Sequence, residues 1–292
     1  MWELIWHFFF APFAEFGFMR RALLGCTAVS VGAVPLGVFL MLRRMSLTGD
    51  AMAHAILPGA AVGYLVSGLS LGAMTIGGLI AGMTVALLSG YVTRVTTLRE
   101  DASLAAFYLI SLAIGVLIIS TRGSNIDLMH VLFGSVLALD DAALILLCSI
   151  ATISLLMLAL FFRPLVLECA DPQFLCSVSK LSAATHFIFL SLVVMNLVGG
   201  FHALGTLMAV GIMILPAAAA RFWTTSIGGL ILVAAILALL ASYSGLLLSY
   251  YRSLPSGPAI ILVAGAIYFL SIIFGTKGGI VQQTRSVHAI EI

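Results

Sequence analysis

Nine long apolar runs follow one another along this 292-residue chain, and they constrain its fold more than any other feature. A helix needs about 20 mostly apolar residues to cross the hydrocarbon core of a bilayer, and each run approaches that length. The runs therefore predict an all-α, polytopic integral membrane protein with about 8–9 transmembrane helices. They cover Ala22–Leu42, Ala51–Leu69, Leu71–Val92, Ala102–Ser120, Ala142–Phe162, Ala183–Val198, Ala203–Ala220, Ile227–Leu248 and Pro258–Phe274.

The charge content excludes most other classes of protein. Charged residues make up 8% of the chain, whereas an ordinary soluble domain carries about 25%. The chain is therefore neither a soluble globular domain, a disordered chain nor a nucleic-acid-binding protein. A net charge of +2 is too small to suggest a polyanionic partner. The four cysteines form no CxxC pair, so we interpret them as structural thiols.

The basic residues orient the predicted spans. If the segment 163–181 is cytoplasmic, nine of the thirteen Lys and Arg residues lie inside, as the positive-inside rule requires. The segment 276–292 is then a cytoplasmic tail, and the aromatic N-terminal segment, 1–18, is predicted to lie at a membrane interface and to lead into the first span. Four basic residues are left outside, and Arg20 and Arg21 among them fit this orientation least well.

Asp50 and His54 form the candidate functional pair. They lie in the sequence GDAMAH within an apolar stretch, where ionisable residues are costly and usually functional. On a helix this spacing places both side chains on one face, about 6 Å apart along the axis. Carboxylate and imidazole ligands suit zinc and manganese, so the pair is a candidate metal site. Two alternatives stay open: a structural hydrogen bond between the two side chains, or Asp50 acting as a helix N-cap.

Two ligands fall short of the roughly four that zinc requires. A two-fold dimer would bring two copies of Asp50 and His54 together on its axis, which would give two oxygen and two nitrogen ligands. His130 and His202 are weaker candidates that could help a metal enter from outside, or they are simply polar residues at the interface. His186 lies in an apolar run and is interpreted as structural.

Small residues and prolines predict where helices approach or bend. The glycine pairs at Gly59–Gly63 and Gly78–Gly82 have the spacing that lets membrane helices approach closely, although glycine is also common in such helices. The tripeptide Ile-Leu-Pro ends at Pro58 and again at Pro216. Paired prolines of this kind predict bent helices beside a substrate site, with chance similarity in so apolar a chain as the alternative.

The polar segment between the fifth and sixth runs contains Asp171 and Pro172. Asp as N-cap and Pro at the first helical position predict a short helix. Its apolar face would dock into a groove of a partner or lie on the membrane surface. The chain has no phosphate-binding loop of the G-x-x-x-x-G-K-[ST] type and no hydrolase motif, so we predict that it is not an enzyme and does not bind ATP by that device.

Four stretches carry a resemblance to the permease subunits of the metal-ion ABC importers, which take up zinc, manganese or iron. The most specific is LRRMSLTGDAMAHAILPG, and the three softer ones are DLMHVLFGS, ILPAAAAR and PSGP. They span Leu42–Gly59, Asp127–Ser135, Ile214–Arg221 and Pro255–Pro258, so the resemblance covers nearly the whole chain.

The resemblance implies a single transmembrane permease domain that works as a homodimer in the bacterial cytoplasmic membrane. It implies two cytoplasmic ATP-binding subunits and a periplasmic or lipid-anchored metal-binding protein as partners. The family's G-D-x-x-x-H motif, whose acid and histidine line the metal path, falls on Asp50 and His54. The family's coupling helix, which contacts the ATPase, falls on a segment with Glu168, Asp171, Pro172 and Phe174.

The resemblance also implies a transported divalent metal and no permanently bound cofactor. Zinc is the first expectation, and manganese or iron is the alternative within the same architecture. An ion-coupled secondary metal transporter would need its own coupling acids in the spans, where Asp50 is the main candidate. A passive channel or a purely structural membrane subunit would not depend on an ATPase.

Overall fold

The computed structural model describes residues 6–68, 70–98, 100–121, 136–171, 174 and 181–282, and for a few of these, His202 included, only the backbone. A π-helical turn (Trp6–Phe10) precedes the first helix, and a 3-10 turn (Val136–Ala138) precedes the seventh. The helices are α1 (Ala11–Glu15), α2 (Gly17–Leu42), α3 (Ser46–Ala55), α4 (Leu57–Ser67), α5 (Leu71–Val95), α6 (Glu100–Thr121), α7 (Asp141–Ala170), α8 (Leu181–Leu204), α9 (Thr206–Ala220), α10 (Ile227–Arg252) and α11 (Ser256–Phe274).

The helices confirm the prediction of an all-α, polytopic membrane protein. Within the described ranges, seven helices are long and apolar enough to cross a membrane, namely α2, α5, α6, α7, α8, α10 and α11. The other two predicted spans correspond to the shorter apolar helix α9 and to α3 followed by α4. The count therefore agrees with about 8–9 spans.

The second predicted span is not one continuous helix. Helix α3 begins at Ser46 and ends at Ala55, and Ile56 separates it from α4. Pro58 lies in the first turn of α4, where its missing N–H removes no required hydrogen bond. The other proline of the predicted pair, Pro216, lies inside the apolar helix α9 as expected, and a paired bend at the two prolines stays a prediction.

Helix α7 is longer than the sequence predicts. We expected the span to end at Phe162 and a loop to begin at Arg163, but the helix continues to Ala170 with Pro164 inside it. A proline there removes one backbone hydrogen bond, and this loss is tolerated near the end of a span, where water and headgroups are within reach. The first part of the predicted loop 163–181 is therefore helical, and this helix ends at Ala170.

Two ion pairs show that α2 and α7 run parallel. Near the start of both helices, Arg21 Nη1 lies 3.4 Å from Asp141 Oδ1. Near their ends, Arg43 Nη2 lies 2.9 Å from Glu168 Oε1. Both helices therefore cross the bundle in the same direction, as the predicted first and fifth spans must. The Arg43 end is the one that the charge distribution predicts to be cytoplasmic.

Helix α2 lies at the centre of the bundle, and two of its glycines allow this. A Cβ atom at Gly32 would lie 2.9 Å from Ala151 Cα on α7. One at Gly37 would collide with the carbonyl oxygen of Met213 on α9. Because both neighbours press on the α2 backbone, the end of α2 and the helix that follows it, α3, have fixed positions.

Helices α4 and α5 meet backbone to backbone. A Cβ atom at Gly59 would collide with the carbonyl oxygen of Gly77, and one at Gly77 would collide with that of Gly59. One turn further along α4, a Cβ atom at Gly63 would lie 2.8 Å from the carbonyl carbon of Ala73. The close approach predicted for Gly59–Gly63 is confirmed, and it holds α4 firmly against α5.

Candidate functional site

Helix α3 carries both residues of the candidate pair. The distance between His54 Nε2 and Asp50 Oδ1 is 3.7 Å, which is too long for a hydrogen bond. Asp50 is also not an N-cap, because Met45 occupies that position in α3. Neither structural alternative considered for this pair is therefore formed in the structure.

The separation within the pair suits two ligands of one ion. Metal–nitrogen and metal–oxygen distances of about 2.0–2.2 Å in tetrahedral geometry place the two ligand atoms about 3.4 Å apart. The side chains are accessible: Asp50 is 65% exposed and His54 33% exposed. His54 Nδ1 is buried and has no hydrogen-bond partner among the described residues, so Nε2 is the ring atom that faces the carboxylate.

Two neighbouring helices position α3. On one side, the Cε methyl of Met213 on α9 would lie 2.7 Å from a Cβ atom at Gly49, so a larger residue there would displace the end of this methionine side chain. On the other side, α6 places the Tyr108 ring 6.4 Å from the His54 ring, between centroids. From the same helix, Ser111 Oγ donates a 2.9 Å hydrogen bond to the carbonyl oxygen of Ala55 at the end of α3.

A pocket of about 170 Å³ opens beside Asp50 between α3 and α6. Its polar lining includes a second carboxylate, Asp101, together with Tyr108 and Thr48. It is large enough for an ion that keeps part of its hydration shell. Sequence reasoning missed Asp101 and Tyr108, although their spacing of seven residues places them on one face of a helix.

The part of the chain that the structure describes contains no cluster of three or more His, Cys, Asp or Glu side chains that could hold a metal. Asp50 and His54 thus form a two-ligand pair in a single chain. The arrangement can hold an ion weakly by itself, and it requires further ligands from water or from another chain for a complete coordination sphere.

Comparison with known proteins agrees with the membrane fold. The ABC 3 transport family matches residues 15–275 of the chain. The chain belongs to this family. It is therefore a membrane permease of the ABC transporter class and not an enzyme.

Individual relatives of this ABC 3 family permease match over nearly its whole length. It is 30% identical over 277 residues to the manganese transport system membrane protein MntC of Halalkalibacterium halodurans, with 94% of both chains covered. It is 30% identical over 276 residues to the manganese import system permease protein ScaB of Streptococcus parasanguinis, covering 94% of this chain and 95% of that one. The solved structure of PsaBC from Streptococcus pneumoniae in complex with Fab matches with a TM-score of 0.82 and 27% identity, covering 94% of this chain and 98% of that chain.

The other two predicted metal residues, His130 and His202, have no described side chain. His130 falls outside the described residues. His202 belongs to α8, but its side chain is not among those described. A role for either residue in metal entry stays a prediction.

The four predicted partner-contact residues differ in exposure: two are exposed, one is buried and one lies outside the described residues. Asp171 accepts a 2.9 Å hydrogen bond from the backbone N–H of Phe174, which is the bond that an N-cap makes. Asp171 and Phe174 are both exposed, as a partner contact requires. Pro172 lies outside the described residues. Glu168 is 5% exposed and paired with Arg43, so in this conformation its carboxylate points into the bundle and away from any surface.

Proposed function

We propose that this chain is the membrane-spanning subunit of an importer that moves a divalent transition metal, manganese first, into the cytoplasm. The observation that carries the proposal is the Asp50–His54 pair, held at ligand separation on a short helix of an ABC 3 family permease. Oxygen and nitrogen donors without thiolate suit manganese as well as zinc.

Manganese replaces zinc as the leading substrate because of the relatives. Both MntC and ScaB, which match this chain over more than nine-tenths of its length, are named for manganese. The ligand types alone do not separate the two metals, since selectivity among divalent ions depends on geometry and availability as much as on donor type. Zinc and iron remain the alternatives to be measured.

The two side chains have complementary roles in the proposed mechanism. The carboxylate of Asp50 offsets part of the dehydration cost of the ion, and the neutral imidazole of His54 supplies a borderline nitrogen donor. An ion has to leave as well as bind, so affinity must stay moderate. A pair of ligands supplemented by water meets that requirement better than a closed four-ligand cage.

A second copy of the chain would complete the site. Asp50 belongs to an apolar bundle and is nevertheless 65% exposed in one chain, whereas intramembrane acids face the bundle interior or a water-filled cavity. A two-fold dimer that covers this face would shield the carboxylate from lipid. It would also bring two Asp50 and two His54 side chains together around one ion.

ATP hydrolysis takes place on a separate subunit in this proposal. The segment that begins at Asp171, predicted to form a short helix, is the proposed contact with that subunit at the cytoplasmic side of a bacterial inner membrane. A metal-binding protein outside the cell would deliver the ion. Movement of the Asp171 segment would then change the side from which the Asp50–His54 pair is accessible.

Whole-cell metal content tests the proposal. A strain that lacks its own manganese importer is complemented with this permease and its ATPase partner, and manganese, zinc and iron are measured by mass spectrometry. We expect manganese to rise above the level in cells with the empty vector. Accumulation of zinc or iron instead would change the substrate, and accumulation that persists with a hydrolysis-deficient ATPase would favour an ion-coupled transporter or a passive channel.

A further inference from the structure

Three side chains from three helices meet at the Arg43 end of the bundle. Arg43 Nη2 lies 2.9 Å from Glu168 Oε1 and 2.9 Å from His186 Nδ1, and His186 Nδ1 lies 3.5 Å from Glu168 Oε1. The Arg43 guanidinium also stacks over the Phe189 ring, at 5.1 Å from its centroid. We call Arg43, Glu168 and His186 the Arg43 cluster.

The Arg43 cluster is buried to a degree that is unusual for charged residues. Its side chains are 5–10% exposed, and a buried ion pair is retained only where its geometry is good. The cluster is also incompletely satisfied, because Arg43 Nη1 and Glu168 Oε2 find no hydrogen-bond partner among the described residues. Apolar residues would stabilise a bundle as well or better, so stability alone does not explain the cluster.

Chain connectivity places the Arg43 cluster between the two functional segments. Glu168 precedes Asp171 by three residues on α7, and His186 lies near the start of α8. Glu168 and His186 therefore lie on the two helices, α7 and α8, that flank the segment proposed to contact the ATPase. Arg43 follows the last residue of α2 and precedes Asp50 by seven residues. The Arg43 guanidinium thus connects both flanking helices to the start of the metal-binding helix α3.

This position separates the cluster from an ordinary helix–helix contact. The connection from α7 and α8 to Arg43 is made by side chains, and the connection from Arg43 to α3 is made by the main chain through only Arg44 and Met45. A displacement of α7 or α8 would therefore reach α3 through Arg43 and two further residues. Physical transmission between sites requires such a contiguous network with more than one arrangement.

We propose that the Arg43 cluster transmits movement of the Asp171 segment to helix α3, and so couples ATP hydrolysis to exposure of the Asp50–His54 pair. The cluster acts as a set of positioning residues and does not bind the metal. This role rests on the proposed function above. Substitutions in a cluster that only stabilised the fold would change the amount of assembled complex. Substitutions in a cluster that links the Asp171 segment to α3 change the number of manganese ions moved per ATP hydrolysed.

The test measures that ratio in proteoliposomes that contain the permease with its ATPase subunit and an external manganese-binding protein. Each variant removes one charge: Glu168→Gln keeps side-chain size, and Arg43→Gln leaves a shorter, neutral polar side chain. We expect both variants to assemble and to hydrolyse ATP, while the ratio of manganese transported to ATP hydrolysed falls by about fivefold or more. Arg43→Lys keeps the charge and should retain more of the ratio than Arg43→Gln.

Asp141→Asn is the matched control. It removes the other ion pair between the same two helices, at the opposite end and exposed to solvent, and should leave the ratio unchanged. If either Gln variant fails to assemble, Glu168→Asp shortens the carboxylate by one methylene and carries the same expectation of a lowered ratio. A wild-type ratio in Glu168→Gln or Glu168→Asp overturns the link.

Asp50→Ala separates failure of the link from failure of the proposed function. If Asp50→Ala stops manganese transport while Glu168→Gln transports with a wild-type ratio, the metal site stands and the link is wrong. If Asp50→Ala also transports normally, the proposed function itself fails, and the link fails with it.

Discussion

Replacement of Gly59 by alanine adds a single methyl group where α4, the helix after the metal-binding helix α3, crosses α5 backbone to backbone. The new Cβ atom would collide with the carbonyl oxygen of Gly77, and it would lie 2.6 Å from the carbonyl carbon and 2.7 Å from Ala81 Cβ. Carbon atoms in contact are normally 3.5–4.0 Å apart. Helix α4 would therefore have to move about 1 Å away from α5.

The energetic cost follows from this displacement. Overpacking by one methyl group in a well-packed region typically destabilises by about 1–3 kcal/mol. A glycine-to-alanine change in an open helix position acts in the opposite direction, by up to about 1 kcal/mol. Gly265→Ala is such a position, because a Cβ atom at Gly265 would have nothing within 4 Å. The two variants should thus differ by about 1–4 kcal/mol in the free energy of unfolding.

Thermal unfolding in detergent, followed by tryptophan fluorescence, measures this difference. Gly59→Ala should melt several degrees below wild type, and Gly265→Ala at or slightly above it. Manganese uptake should fall in Gly59→Ala as well, because α4 continues directly from the helix that carries Asp50 and His54. A Gly59→Ala variant that melts at or above the wild-type temperature would refute the close backbone contact.

Three further predictions concern hydrogen bonds and the pocket. Ser154→Ala removes the 2.6 Å acceptor of the buried Asn196 Nδ2 and should lower stability by about 0.6–1.7 kcal/mol in thermal melts, as polar contacts between membrane helices do. Ser111→Ala removes the hydrogen bond to the Ala55 carbonyl. Manganese uptake should therefore fall by a larger fraction than the melting temperature, both measured on one preparation. Asp101→Asn removes the second carboxylate of the pocket and should raise the manganese concentration required for half-maximal uptake while leaving the maximal rate near that of wild type.

Much of the fold follows from the sequence because a bilayer demands long apolar helices. The predicted run Leu71–Val92 corresponds to α5, and Ile227–Leu248 to α10, with ends that differ by a few residues. The errors arise at prolines. The fifth predicted span ends at Phe162, whereas the helix continues through Pro164 to Ala170, and the second predicted span, for which a bend at Pro58 is expected, is divided at Ile56 into two helices.

The candidate site was only partly predictable. Asp50 and His54 are four residues apart, so helical periodicity alone brings them together. The other contacts join residues far apart in sequence: Arg43 and Glu168 are separated by 125 positions, and Arg43 and His186 by 143. Local patterns carry no information about such pairs. For this reason the sequence identifies His186 only as a structural residue and Glu168 only as part of the predicted partner-contact segment.

The most direct test of the account is manganese accumulation by the Asp50→Ala and His54→Ala variants. Both are expressed with the ATPase partner in a strain that lacks its own importer, with membrane levels checked by immunoblot and Asp141→Asn as the control acid. Cell manganese measured by mass spectrometry should fall at least about tenfold in both variants, since even indirect partners of metal ligands contribute that much to affinity, and should stay at the wild-type level in Asp141→Asn. Wild-type accumulation in both alanine variants would contradict the account, because the Asp50–His54 pair would then be a contact within α3 and not part of the metal path.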